Sequence, residues 1–294
     1  TGCRNHAMGS YTLRFNTTGD DNTASGHYAL RTNTTGSCNA AFGMNALRLS
    51  TTSSQNVAVG AQSMCANTTG ANNVAVGYSA LRANVCGANN TAIGCAALTS
   101  NTCGNYNTAV GRAALQSNIT GIQNTALGER ALCMATTACR NTAVGYGSLQ
   151  DTSTGERNTA VGENSLNKNT SSHDNVAVGD HSLYCNTGCN NTAVGRASSQ
   201  NNTSGIKNSS LGSCALFTNT TGCLNTALGY ESLKYNTTAS NNTAIGSCAL
   251  HNNTTGGSNT AVGAVAMQNN TTGEYSIAMG RYALNDNSTG CRNV

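Results

Sequence analysis

Proline and tryptophan are absent from this chain, aromatic residues make up 4% of it and charged residues 9%. A compact globular core normally draws on large side chains, because each buries much apolar area. Their scarcity argues against an ordinary globule. The apolar residues that remain are mostly Ala, Val and Leu, which suit a thin, regular core. The net charge of +4 is spread along the chain. There is no Lys/Arg run and no interleaving of basic with aromatic residues, so no nucleic-acid partner is expected. No apolar stretch approaches the ~20 residues of a membrane span, and no signal peptide is evident. The chain begins at Thr1 rather than Met, as a processed protein or a portion of a longer one would.

What is present is repetition, the first thing to look for in such a composition. Alignment on Asn-Thr-Ala-Val-Gly gives a 17-residue unit, N-T-A-V-G-x-x-A-L-x-x-N-T-T-G-x-x, in seventeen copies from Asn5, Asn22 and Asn39 to Asn259 and Ser276. Spacing is 17 throughout except between Asn175 and Asn191, where the turn around Asn186-Thr187-Gly188 is one residue short. Position one is Asn in sixteen copies, and position five is Gly in all seventeen. Such strictness points to a backbone conformation or close approach that a Cβ would forbid. Position three is Ala except at Ser210, and position nine is Leu or Met except at Ser199. Position eight is always Ala, Ser or Thr.

Two apolar segments of about four residues per unit are too short for helices. The N-T-T-G segment between them reads as a turn, since Asn bonds its own backbone and Gly takes positive φ. Each unit is therefore expected to be one coil with two short strands. The chain reads as all-β: a parallel β-solenoid (β-roll) of seventeen coils, one continuous array over residues 1–294. At the strand spacing of ~4.8 Å it would extend on the order of 80 Å. Equivalent residues would lie above one another, and the position-one column would form a ladder of Asn amides.

The N-x-A-x-G…A-L pattern, as in Asn107-Thr108-Ala109-Val110-Gly111 and Asn141-Thr142-Ala143-Val144-Gly145, resembles the head repeats of YadA-like trimeric autotransporter adhesins. Similar arrays occur in phage tail-fibre-like proteins. The resemblance covers essentially the whole chain. It implies a left-handed parallel β-roll, commonly trimeric, that projects from a surface and binds host or matrix. The unit here is longer than that family's typical repeat, and no stalk coiled coil or membrane anchor accompanies it.

Fourteen cysteines without C-x-x-C or zinc-finger spacing point to disulfides in an oxidising compartment rather than to a metal or cofactor site. Cys86 and Cys103 share a turn position in successive coils, within disulfide range. Cys133 and Cys139 flank one turn, and Cys185 and Cys189 the shortened one, so these are candidates as well. Cys214 and Cys248 share a column two coils apart, at roughly 10 Å, too far to bond. The turn Asn opens an N-x-S/T sequon at Asn16, Asn33, Asn67, Asn118, Asn169, Asn202, Asn219, Asn236, Asn253, Asn270 and Asn287. These are either N-glycosylation sites along one edge or turn chemistry alone.

The five His fall in unrelated columns and the eleven acidic residues are scattered, so neither catalytic nor metal-binding residues are expected, and no cofactor. The T-G-C-R-N string occurs near both ends, mid-repeat and without a polar cap. That pattern suits a window on a longer array or end-to-end stacking of copies into a filament. The expected role is an extracellular or cell-surface structural fibre or adhesin shaft, not an enzyme. Its partners would be further copies of itself, as a filament or homotrimer, together with a host or matrix surface or glycan. The variable positions six, seven, ten, eleven, sixteen and seventeen would face solvent or a partner, with Tyr78, Tyr146, Tyr230 and Arg281 among them. The alternative is an array-type binder of ice or polysaccharide, or the receptor-binding head of a surface or tail fibre. Thr at position two in ten copies favours that alternative, and the interruptions at Val57, Val74 and Val176 weigh against it.

Overall fold

A computed structural model describes residues 2–294. By internal contacts the chain divides into two compact units, Thr1–Gly147 with Asp151–Thr154, and Ser148–Gln150 with Gly155–Val294. Among the described residues there is no helix, and each unit is a parallel β-solenoid. The first carries nine three-residue strands, from β1 (His6–Met8) to β9 (Thr142–Val144), and the second carries eight, from β10 (Thr159–Val161) to β17 (Ile277–Met279).

Register follows the repeat. In the first unit Thr108, Ala109 and Val110 pair with Thr125, Ala126 and Leu127. In the second, Val176 pairs with Thr192, sixteen residues on, so the missing residue is taken up in the turn and the strands stay aligned. Alternation along a strand sends its middle residue one way and its neighbours the other. The middle residue of every strand after β1, as at Ala41 and Ala109, is accordingly buried, while Val59, Ile93 and Leu228 at position four stay exposed.

One expectation is corrected. Each coil has one strand rather than two, because the Ala-Leu segment is not extended. Positions seven and nine are left-handed, with φ 59° at Ala96 and 50° at Leu98. The coils still bond to each other there, as in Leu98 N–H to the Ala114 carbonyl at 3.0 Å. A left-handed conformation costs an L-residue ~1–2 kcal/mol. It turns the Leu side chain fully into the core, and burying a leucine is worth ~1.5–3 kcal/mol. The core is therefore two ranks of small residues and one of leucine.

The Asn ladder is present, and it is double. At position one, Asn107 gives its backbone N–H and its Nδ2–H to Asn90 Oδ1, at 3.0 and 3.2 Å. It also donates to the Gly121 carbonyl at 2.8 Å. At position twelve, the turn Asn101 donates Nδ2–H to Asn84 Oδ1 at 2.8 Å and to the Gly104 carbonyl at 3.1 Å. Both ranks are buried, where amides need partners. The second rank breaks where Ser50 and Ala135 replace the Asn, and Asn33 Oδ1 and Asn118 Oδ1 of the preceding coils lack a partner there.

The two glycine columns differ for a physical reason. Gly43 sits at φ +131°, and a Cβ there would lie 2.7 Å from the Gly60 carbonyl carbon and oxygen of the next coil. Both conformation and space exclude other residues, which is why position five never varies. Position fifteen lacks the left-handed φ, and Ser53, Ala138, Ser172 and Ala239 occur in it.

Candidate ligand-binding face

Stacking turns residues 17 apart into spatial neighbours, and this creates a feature that a linear reading misses. Arg14, Arg31, Arg48 and Arg82 all occupy position ten in the first unit, with Cys65 at the same position between the last two. Successive coils of this unit are 4.9 Å apart between the Cys86 and Cys103 Cα atoms at position fourteen. Aromatic residues from positions seven and eleven interleave with the arginines. The Arg14 guanidinium lies 5.2 Å from the ring centres of both Tyr11 and Phe15. Arg31 lies 5.0 Å from Tyr28 and 5.8 Å from Phe15. Tyr11 and Tyr28 stack at 5.2 Å. Such cation–π contacts hold arginine stems against apolar surface while leaving the charge outward.

Further along the same column a groove of about 590 Å³ opens, lined by Arg48, Leu49, Cys65, Ala66, Arg82 and Ala83 among others. The arginine–carboxylate pairs of this unit, Arg4 with Asp21 and Arg112 with Glu129, lie elsewhere. The row thus presents several cations at coil spacing, flanked by aromatic faces. The expectation of no basic–aromatic interleaving is corrected: Arg14 and Arg31 each meet aromatics of their own coil, and Arg31 also meets Phe15 of the preceding coil. Reading charge by column rather than by window would have found the arginine row.

The residues expected on the partner face are exposed, Tyr78, Tyr146 and Tyr230 at 57%, 45% and 55%. They share position six with Arg281 and lie several coils apart, so they form no single site.

Among the cysteines, Cys86 and Cys103 are joined, with Cα atoms 4.9 Å apart. Cys133, Cys139, Cys185 and Cys189 remain thiols, a correction to the two turn-flanking pairs. The members of each pair stand in different columns. Cys133 Sγ meets Gln116 Oε1 at 3.6 Å, and Cys139 Sγ meets the Thr137 carbonyl at 3.2 Å. Burial pushes the Cys133 and Cys185 thiols up from their ordinary pKa, which disfavours the thiolate needed for exchange.

At the sequons the Asn side chains are engaged in turn chemistry. Asn33, Asn67, Asn118, Asn169, Asn202, Asn219, Asn236, Asn253 and Asn270 are buried, and Asn16 and Asn287 are half-buried. The nitrogen a glycan would occupy is a ladder donor, as in Asn219 Nδ2–H to Asn202 Oδ1 at 2.6 Å and to the Gly222 carbonyl at 2.9 Å. The folded ladder leaves no room for a glycan at the buried sites. No protein-family model matches the chain, and no curated protein does.

Proposed function

We propose that this chain is an extracellular, non-catalytic structural segment of a fibre or adhesin shaft, of the kind its resemblance to YadA-like head repeats implies. The observation that carries the reading is the coil-to-coil bonding within each unit. Strand hydrogen bonds, two Asn ladders and a leucine rank recur in coil after coil, so order is invested in regularity rather than in a cleft. The Cys86–Cys103 disulfide supports an oxidising compartment. Exposed aliphatic side chains along position four, including Val59, Ile93 and Leu211, suit association with further copies. Cryo-electron microscopy of the native material tests it. Continuous or trimeric fibres with an axial repeat of ~4.8 Å are expected, and monodisperse short monomers would reject the shaft.

A second reading, array-type binding of a polysaccharide, is favoured by the arginine row. Regularly spaced guanidinium groups beside tyrosine faces suit an anionic polysaccharide, whose carboxylates or sulfates accept paired N–H donors while its sugar rings cover the aromatics. Binding to a polyuronate or sulfated glycan should weaken with added salt and fall in an Arg31→Gln/Arg48→Gln variant. Equal binding of a neutral glycan, or no effect of the double substitution, rejects this reading. Equal binding of single-stranded DNA would show a nonspecific basic face instead.

A further inference from the structure

In the second unit the stacking gathers three potential metal ligands that are scattered in sequence. Glu231 stands at position seven of one coil, and Cys248 and His251 at positions seven and ten of the next. The carboxylate, the sulfur and an imidazole nitrogen all lie within 4.8 Å of one another. The Glu231 and His251 side chains are only 17% and 15% exposed, and Cys248 is half-buried.

The three ligand atoms stand close enough together to share one ion. His251 Nδ1 lies 2.9 Å from Asn252 Oδ1, and an amide oxygen only accepts, so Nδ1 carries the proton. Nε2 lies 3.2 Å from Glu231 Oε2, as close as two neighbouring ligands of one ion. Either a proton on Nε2 or a metal ion joins these atoms, and the Cys248 sulfur beside them favours the metal. Lys234 does not fill this place, because its Nζ–H donates to the other carboxylate oxygen, Oε1, at 2.7 Å. Cys248 cannot be consumed by a disulfide with Cys214, which lies two coils away in the same column.

We propose that Glu231 Oε2, Cys248 Sγ and His251 Nε2 bind a zinc-class divalent ion, with water in a fourth position. A mixed O, S and N set is what zinc takes, whereas magnesium and calcium favour oxygen alone. Zinc–ligand bonds of 2.0–2.3 Å put tetrahedral ligand atoms roughly 3.4 Å apart; Nε2 and Oε2 are already 3.2 Å apart, and the sulfur, within 4.8 Å of both, would move in. The supporting contacts have the form such sites use: Asn252 fixes the imidazole tautomer, and Lys234 orients the carboxylate. The Tyr235 ring meets His251 edge-on at 5.0 Å. Because the ligands come from successive coils, the ion would clip one coil to the next, and its binding would stabilise the folded stack.

Cobalt(II) titration of the full chain, kept reduced with a phosphine, tests the site. One equivalent should bind with a thiolate-to-cobalt charge-transfer band, and zinc should displace it. Cys248→Ser should lose the band, and Cys223→Ser, a thiol outside the site, should keep it. Asn252→Ala should weaken binding ~10–100-fold with the band intact. Zinc should raise the melting temperature of the native chain but not of Cys248→Ser, with far-ultraviolet circular dichroism confirming that both are folded. A cobalt complex without a thiolate band, or a band that survives in Cys248→Ser, would overturn the site and leave a plain Lys–Glu–His ion cluster.

Discussion

Ser199 and Ser210 hydrogen-bond to each other through their hydroxyls at 2.9 Å, buried in the core of the second unit. They are the lone polar departures from the leucine column and from the alanine column, and the fold sets one against the other. Ser198 joins them, its Oγ 2.6 Å from Ser210 Oγ. Two violations of an apolar core thus become one satisfied polar contact, in which each hydroxyl meets another. Ser210→Ala alone should destabilise by about 1 kcal/mol, since it strips the shared partner from two buried hydroxyls. Ser199→Leu with Ser210→Ala restores the consensus and should gain ~1.5–3 kcal/mol from the buried leucine. Denaturant melts of the single and double variants check the reversal of sign.

Asn107 offers a harsher test of the ladder. Its Oδ1 accepts from both the backbone N–H and the Nδ2–H of Asn124, at 3.0 and 3.2 Å. Truncation to Ala leaves those donors and the Gly121 carbonyl unmet in a buried setting, at a cost on the order of 3 kcal/mol. Asn107→Asp keeps the acceptor and loses the donor, so above the carboxylate pKa it should cost less at the Asn124 contact than at Gly121. Amide hydrogen exchange should show the loss concentrated in the two adjoining coils, because neighbours carry the stability of a solenoid.

Positions twelve and fifteen meet within the turn. A Cβ on Gly70 would fall 2.3 Å from the Gly87 carbonyl oxygen of the next coil and 2.6 Å from Asn67 Oδ1 of its own turn. Where nature puts Ser53 in the glycine column, Ser50 replaces the Asn, and the two hydroxyls lie 2.6 Å apart. Where it puts Ala138, Ala135 replaces the Asn, whereas Ser172 keeps Asn169 and Ala239 keeps Asn236. Ala239 beside Asn236 sets the expectation that Gly70→Ala alone is tolerated, and Asn67→Ala, which removes one of the two contacts, should relieve it further, with a coupling of ~0.5–3 kcal/mol in a double-mutant cycle. Gly111→Ala, in the left-handed column at φ +133°, should find no such rescue.

The solenoid, its coil count, the position-one ladder and the Cys86–Cys103 bond were all legible in the repeat, because each depends on which residues recur at 17. The second strand was not. Nothing in an Ala-Leu pair announces two left-handed residues, and only the packed leucine makes that conformation worthwhile. The sequons left two readings open because Asn-Thr-Thr-Gly serves a surface signal and a buried ladder equally well by composition. Arg14, Arg31, Arg48 and Arg82, like Glu231, Cys248 and His251, escaped for another reason. They are clusters across coils, and windows along the chain cannot see them.

The Cys86–Cys103 disulfide links successive coils that backbone hydrogen bonds already hold, including Cys86 N–H to the Thr102 carbonyl at 3.1 Å. A cross-link closing a loop of this size is worth up to ~3 kcal/mol through the unfolded state. Cys86→Ser/Cys103→Ser should lower global stability by no more than that and leave the fold intact, as read by circular dichroism and a urea melt. Loss of the solenoid on reduction would show instead that the ladders alone cannot hold the first unit together.

Asp174 supplies the clearest pH dependence. Arg157 donates Nε–H and an Nη–H to its two carboxylate oxygens, at 2.7 and 3.1 Å. The His173 ring adds a contact at 2.7 Å. First the guanidinium and then the imidazole hold the Asp174 pKa down at about 2, below the ~3.9 of an unfolded aspartate. The folded form therefore binds the proton less readily than the unfolded chain. The contribution is fully present above the unfolded value and disappears as pH falls through about 2. The pair is exposed, so salt should screen it and its share of stability is small. The sharper readout is the titration itself. Carbon-13 shifts of the Asp174 carboxyl should give a midpoint near the depressed value, and Arg157→Gln should move it up toward the ordinary range. A midpoint that stays low in the variant would assign the depression to His173 instead.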